Sequence, residues 1–178
     1  SIPASAGAQP STYLGAKLSQ KSGVSNIDTT PAYWFGHGLS YSTFEWSDLG
    51  TSGKLFSQTV DVRVKVANTS DRDGADVVQL YLHDPVASVV RPVQRLISYA
   101  RVELAAGEEA TVTFRVPSDL ASFTGVDGRR IVEPGLLVFG VGRSAGEMVF
   151  SHPVELTGEI REVDHTRALH AEVTVSRS

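Results

Sequence analysis

The feature that most constrains the fold is a strict alternation of valine with charged residues between positions 60 and 66. The apolar members are Val60, Val62, Val64 and Val66, and the charged members between them are Asp61, Arg63 and Lys65. Side chains of an extended chain point alternately to opposite faces, so a period of two places all the valines on one face. This stretch therefore predicts a half-buried β-strand with its valines inward.

The same period recurs along most of the chain after Leu55. The stretch ATVTFRV directs Val112, Phe114 and Val116 inward, whereas ADVVQLYLHD is apolar on both faces and predicts a central strand. LLVFGVG and MVFSHPVEL, separated by RSAGE, predict a final hairpin. Turn signals stand between these stretches, at NTSDRDG, AAGEEA, Asp127-Gly128 and Glu133-Pro134-Gly135.

About seven short strands, with turns roughly every eight to twelve residues and no long helical pattern, predict an all-β fold. The expected architecture is an antiparallel β-sandwich of immunoglobulin or fibronectin type III-like topology. Two segments interrupt the strands. SDLAS predicts one helical turn capped by Ser118. DPVASVVRPVQ contains Pro85 and Pro92, which cannot donate to a strand ladder, and therefore predicts a long excursion at one end of the sandwich.

Composition argues against several classes of partner. The net charge is −4, and neither sign is concentrated in a basic stripe that would bind nucleic acid. The chain has no cysteine, which excludes disulfides and thiolate metal sites. No apolar stretch approaches the roughly 18 residues that span a bilayer, and no signal peptide opens the chain. We therefore expect a soluble protein, cytoplasmic or secreted, with neither a nucleic-acid nor a membrane partner.

The first residue is Ser1 rather than methionine, which suggests that the chain is a piece of a longer protein.

The stretch PAYWFGHGLSY, residues 31–41, is the most unusual in composition. It gathers four aromatic residues and a histidine around two glycines, in a chain with only 8% aromatic residues. Glycine and proline exclude a helix interior, and the first 40 residues carry neither the strand nor the helix period. A structureless stretch of this length is unusual inside a compact domain. We expect these rings to lie on an arm that a partner surface covers.

Three ordered motifs carry a resemblance to a known family. They are FGHGLSY followed by STF, then VVQLYLHDPVASVVRPVQRL, and finally DGRRIVEPG followed by VGRS. In this pattern the chain resembles the carboxy-terminal part of glycoside hydrolase family 3, the β-glucosidases and β-xylosidases. The resemblance implies that residues 1–46 end a preceding α/β sandwich domain and form a linker arm. It implies a fibronectin type III-like domain at residues 47–156, followed by an extension at 157–178 that we expect to be mobile.

The resemblance also implies where the chemistry of such an enzyme lies. Retaining members use an aspartate nucleophile and an acid/base residue from upstream domains, so we expect no catalytic, cofactor-binding or metal-binding residue in this chain. The predicted function is to buttress the catalytic domains of an enzyme that hydrolyses terminal β-linked glucose or xylose. The alternative is an independent carbohydrate-binding or adhesive module, because the architecture is shared without shared function.

Five residues are candidates for an interdomain contact or a substrate rim: Tyr33, Trp34, Phe35, His37 and Arg91. The side chains of the four loop residues could form an interface with the catalytic domain, or they could line the substrate site and stack on a sugar ring. Two roles for Arg91 stay open. It forms an exposed ion pair with Asp84 that is worth about 0 to 1 kcal/mol, or it crosses to the catalytic domain. The spacing of His165 and His170 does not predict a metal site, since both belong to the extension.

Overall fold

The computed structural model describes residues 1–5, 13–15, 23 and 29–177, and the strands in this part lie between residues 44 and 177. Their bounds are β1 (Phe44–Thr51), β2 (Leu55–Phe56), β3 (Thr59–Asn68), β4 (Gly74–His83), β5 (Arg95–Leu104), β6 (Glu109–Pro117), β7 (Phe123–Thr124), β8 (Arg130–Val132), β9 (Gly135–Ser144), β10 (Glu147–Leu156), β11 (Arg161–Glu162) and β12 (Glu172–Arg177). A short 3-10 helix, Ser118–Ala121, separates β6 from β7.

The strands form two main sheets that pack face to face. One has the order β1-β3-β6-β12 and the other the order β2-β10-β9-β4-β5, while β11, β8 and β7 form a small third sheet. Pairing is antiparallel except between β2 and β10. One hydrophobic cluster draws side chains from both main sheets. The prediction of an all-β, fibronectin type III-like sandwich is therefore confirmed.

The alternating valines lie where their period placed them. Val64 and Val66 are fully buried, and Val64 lies opposite Val112 in the register of β3 with β6. Phe114 is equally buried. The continuous apolar stretch became β4, which lies between β9 and β5 in the five-stranded sheet, as expected for a central strand.

The helical turn differs from its prediction. Pro117 rather than Ser118 occupies the cap position, and no side chain caps the helix. Ser118 lies inside the helix and is buried; its hydroxyl accepts a hydrogen bond from Arg161 at 3.1 Å. The cap prediction was wrong because the preceding strand runs directly into the turn. Within the described residues, no helix is long and apolar enough to cross a membrane.

The carboxy-terminal extension is not a loose tail. Residues 172–177 form β12, which pairs with β6 from Glu172 opposite Arg115 to Arg177 opposite Ala110. The expectation of a mobile extension was wrong because β6 offers a free edge that a distant segment can pair with. His165 and His170 precede this strand, and no metal-binding group of side chains occurs among the described residues.

The amino-terminal arm adds a partial third layer. The backbone N–H of Val93 donates to the carbonyl oxygen of Leu14 at 2.9 Å, and that of Leu96 donates to the Tyr13 hydroxyl at 3.2 Å. The Tyr13 ring meets the buried ring of Tyr81 edge-on, with centroids 6.3 Å apart. The described part of the arm therefore covers β4 on the face that points away from the hydrophobic core.

Candidate functional site

The aromatic loop, defined as residues 31–41, is fastened to the sandwich on its inner side. The Phe35 ring stacks on Tyr13 with centroids 4.1 Å apart and an angle of 11° between the planes. The Phe35 carbonyl oxygen accepts a hydrogen bond from the backbone N–H of Ala145 at 2.9 Å. One ring of the loop is therefore covered by the chain itself.

The side chain of Gln79 holds Gly36, the next residue of the loop, by a hydrogen bond. Its side-chain Nε2 donates to the carbonyl oxygens of Gly36 at 2.9 Å and Arg143 at 2.6 Å, and its Oε1 accepts from the Tyr81 hydroxyl at 2.6 Å. Gly36 has a φ of +80°, and a Cβ there would overlap the Gln79 amide. Since Gln79 is only 4% exposed, these bonds replace the water that its amide loses on folding.

Tyr81 is the third member of the hydrogen-bond network around Gln79. Burial raises the pKa of its phenol far above the ordinary value, and nearby Tyr13 raises it further. The hydroxyl therefore stays protonated and serves Gln79 as a donor. A neutral donor suits a buried amide acceptor, because an ionised phenol in the same place would bury an uncompensated charge.

The outer side of the aromatic loop remains exposed. Tyr33 is 52% exposed and Trp34 40%, and their neighbours Leu39 and Tyr41 are almost fully exposed. The Trp34 ring fills the space above Gly146, where a Cβ would overlap it. The Tyr33 ring lies 5.0 Å from the ring of His37, centroid to centroid. The loop thus has a fixed backbone and an apolar outer surface.

A cleft of about 370 Å³ runs between the aromatic loop and the outer face of β4 and β5. Its lining includes His37, Leu39, Val77, Tyr99 and Glu147. Two further polar groups in the cleft are already engaged. The Asp76 carboxylate accepts from the Trp46 ring N–H at 2.9 Å, and Arg143 donates to the Phe44 carbonyl oxygen at 2.8 Å. The cleft therefore offers mainly an apolar surface.

Arg91 lies apart from the loop contacts, on the excursion between β4 and β5. Its Nε lies 3.3 Å from the Asp84 carboxylate, and the two side chains are only 13% and 11% exposed. The expectation of an exposed pair was wrong, because Arg91 packs against Ala121 and Phe123 and the pair is largely shielded from solvent. Burial raises the pKa of Asp84, and the Arg91 charge opposes that rise.

Three guanidinium groups hold three consecutive backbone carbonyls at the end of the 3-10 helix. Arg95 donates to the carbonyl oxygen of Leu120, Arg91 to that of Ala121 at 3.3 Å and Arg130 to that of Ser122 at 3.0 Å. The Arg91 guanidinium also lies 4.6 Å from the centre of the Phe123 ring. The last carbonyls of a helix lack intrahelical partners and carry a partial negative charge, which explains why cations gather there.

Nine acidic side chains of the described part form ion pairs at or near the surface. Such exposed pairs contribute about 0 to 1 kcal/mol each. They are Asp61 with Arg63, Glu109 with Lys65, Asp71 with Arg72, Glu103 with Arg101, Asp127 and Glu162 with Arg129, Glu147 with Arg143, Asp119 with Arg161 and Glu108 with Arg177.

The structure brings Tyr33, Trp34, Phe35 and His37 together on one loop, as their neighbourhood in the sequence requires. It places Arg91 with Asp84 and Ala121 instead. Sequence reasoning missed Gln79, although one signal was available. A glutamine inside the apolar stretch VVQLYL of a central strand is a buried polar residue that needs partners.

Comparison with known proteins places this geometry in a family. The fibronectin type III-like domain family matches residues 76–145. A β-xylosidase described as putative, from Formosa agariphila, is 32% identical over 81% of this chain and 19% of its own length. Thermostable β-glucosidase B of Acetivibrio thermocellus is 35% identical over 74% of this chain and 18% of its own length.

Solved structures agree. A β-glucosidase from Erythrobacter marinus superimposes with a TM-score of 0.76 at 33% identity, over 83% of this chain and 20% of that one. The β-glucosidase of Listeria innocua in complex with glucose gives a TM-score of 0.69 at 39% identity, over 75% and 19% of the two chains.

These matches and the sandwich define a fibronectin type III-like domain preceded by an arm. The chain belongs to glycoside hydrolase family 3 and corresponds to its carboxy-terminal part. It spans about a fifth of the length of the curated relatives it matches.

Proposed function

We propose that this chain buttresses the catalytic domains of a β-glycosidase that hydrolyses terminal β-linked glucose or xylose. Residues 1–43 are the end of the preceding domain and its linker arm. The sandwich begins with β1 at Phe44, three residues before the boundary expected at residue 47, and residues 157–178 are an extension of it. The catalytic carboxylates belong to the larger part of the protein, and this chain supplies none of them. The names of the relatives, which are β-glucosidases and β-xylosidases, support the reaction class.

The aromatic loop is the observation that carries this proposal. Its backbone is held to the sandwich through Phe35 and Gly36, while Tyr33, Trp34 and Tyr41 face outward. Exposed neighbouring rings on a rigid support are the usual composition of an interface, because little entropy is lost when a partner covers them. We propose that the catalytic part of the same protein covers them.

An independent carbohydrate-binding module is the alternative. Such a module needs aromatic faces arranged for a sugar chain. In this chain the exposed rings lie on the loop and at Tyr99 of β5, whereas the outward positions of β3 carry charges such as Arg63. An interdomain contact at the aromatic loop therefore explains more of the exposed aromatic surface than a sugar-binding site on a strand face does.

The first experiment measures turnover. The full-length protein should hydrolyse aryl β-glucosides or β-xylosides, and the 178-residue chain alone should not. Sustained turnover by the purified chain, after contaminating hydrolases have been removed, would overturn the proposal. Binding of the lone chain to insoluble β-glucans would favour the alternative module.

The second experiment follows the ring of Trp34. With Trp46 replaced by phenylalanine, Trp34 is the single fluorescent indole of the chain. Iodide should quench it several-fold more strongly in the lone chain than in the full-length protein. Equal quenching in the two proteins would show that no domain covers the loop. A change in KM on Trp34→Ala would indicate that the ring also reaches the sugar.

A further inference from the structure

A second apolar surface lies at the end of the sandwich, on the excursion between β4 and β5. Residues 83–91, Val93 and Val126 surround a groove of about 810 Å³, which we call the valine groove. Its rim is unusually exposed for such apolar side chains: Val86 is 77% exposed, Val90 88% and Val126 94%. Contiguous exposed valines on a soluble domain mark an interaction surface.

The valine groove has a fixed shape. The backbone N–H of Ser88 donates to the Glu133 carboxylate at 3.0 Å, and that of Val93 donates to the arm at Leu14. The buried pair of Asp84 with Arg91 ties the two ends of the excursion together. The exposure of the valines is therefore built into an anchored loop.

Two polar atoms at the base of the groove lack a well-aligned partner among the described residues. They are Nδ1 of His83 and Nε of Arg91, both shielded from solvent. The Arg91 Nε lies 3.3 Å from the Asp84 carboxylate, which is close enough for an ion pair but lacks hydrogen-bond geometry. Buried polar atoms without partners are rare in a finished structure and require an explanation.

Positive charge exceeds negative charge beneath the groove. Arg91, Arg95 and Arg130 converge on the same backbone segment, and in the described part of the chain neither Arg95 nor Arg130 forms an ion pair. The carboxylates nearby belong to Asp84 and Glu133. Burial lowers the pKa values of all three arginines. Arg91 and Arg130 lower the pKa of Arg95 further, whereas the Asp84 carboxylate opposes the fall for Arg91.

We propose that the valine groove is a second docking surface for the catalytic part of the same protein, which inserts an apolar side chain beside a carboxylate that faces Arg91. The inference rests on the proposed function and adds to it a site separate from the aromatic loop. The apolar side chain matches the valine rim, and the carboxylate offsets the excess of arginine.

The same charges disfavour a second copy of this chain as the occupant. A symmetric dimer brings the same patch of each copy together. Such a contact here would place one arginine cluster opposite another without added carboxylates. The remaining four fifths of the relatives' length supplies a covalently attached partner at high effective concentration.

Photocrosslinking in the full-length protein tests this directly. The photoreactive residue p-benzoylphenylalanine replaces Val90, and in a matched control it replaces Leu169, which is 65% exposed and lies outside the groove. The Val90 position should crosslink to a peptide of the upstream part that carries an Asp or Glu beside an apolar residue. Crosslinks to a second copy, to other proteins, or to nothing beyond the Leu169 control would overturn the inference.

A third position separates this inference from the proposed function. The crosslinker at Leu39 reports on the aromatic loop, where the side chain is 93% exposed. If position 39 crosslinks to the upstream part and position 90 does not, the valine groove is refuted and the buttress role stands. If neither position does, both fail.

Charge variants test the chemistry of the occupant. Val90→Glu should lower the melting temperature of the full-length protein more than Val90→Lys, because the new carboxylate would face that of the docked segment. The same two changes at Leu169 should have equal effects. Equal or reversed effects at position 90 would exclude an acidic partner.

Discussion

The side-chain amide of Gln79 donates to the Gly36 carbonyl oxygen across 2.9 Å, and joins the central strand of the sandwich to the aromatic loop. This contact is possible only because residue 36 has no side chain. The positive φ and the lack of space both exclude a Cβ there, whereas Gly38 has open space around it.

Gly36→Ala should therefore destabilise the chain by about 1 to 3 kcal/mol, through backbone strain and loss of the Gln79 bond. Gly38→Ala is the matched control and should stay within about 0.5 kcal/mol of the parent. Urea unfolding measures both. Equal shifts for the two variants would mean that Gln79 does not hold the loop.

Val64→Asp should unfold the sandwich. Val64 is fully buried, and an unpaired carboxylate there costs several kcal/mol out of a total stability of about 5 to 15 kcal/mol. Arg63→Gln, on the opposite face of β3, should be nearly neutral. Circular dichroism during heating compares them, and an unchanged melting temperature for Val64→Asp would contradict the burial of this face.

Stability should fall in alkali through Tyr81. Unfolded tyrosine titrates near pH 10, so above about pH 10 the unfolded chain has released a proton that buried Tyr81 retains. The contribution of this group is complete below that pH and declines as the pH rises. Tyr81→Phe should flatten the decline above about pH 10. Parallel curves for the two proteins would show that Tyr81 ionises freely in the fold.

Asp84→Asn should cost about 3 kcal/mol or more, because it leaves the Arg91 charge buried without compensation. Combining it with Arg91→Met should recover part of that loss. Asp61→Asn breaks the more exposed pair with Arg63 and should cost about 0 to 1 kcal/mol. Chemical denaturation completes the double-mutant cycle, and similar losses for the two single variants would refute the buried pair.

The parts of the fold that the sequence predicts are the strands, because their side chains repeat with a period of two residues. The alternation around Val64 and Val112 reports which face is buried, and the structure places both residues in the core. The stretch of β4, which is apolar on both faces apart from Gln79, likewise indicated a central strand.

The parts that were missed depend on distant segments. β12 exists as a strand because β6 has a free edge, which no local pattern reveals. The side chain of Arg91, which pairs with Asp84, contacts Ala121 and Phe123, about 30 residues away in the sequence. Of the candidate site, the sequence indicated the loop and its rings, but it did not indicate that Tyr13 and Gln79 hold them.

The late position of β12 also matters while the chain is being synthesised. β6 is complete well before β12, so a nascent chain carries an unpaired sheet edge that other molecules could join. Once β12 pairs, this side of the sheet ends in a strand of six residues that bears Glu172 and Arg177 at its ends. A short charged strand is a poor template for aggregation. β12 therefore covers the edge of β6 that would otherwise be open to pairing with another chain.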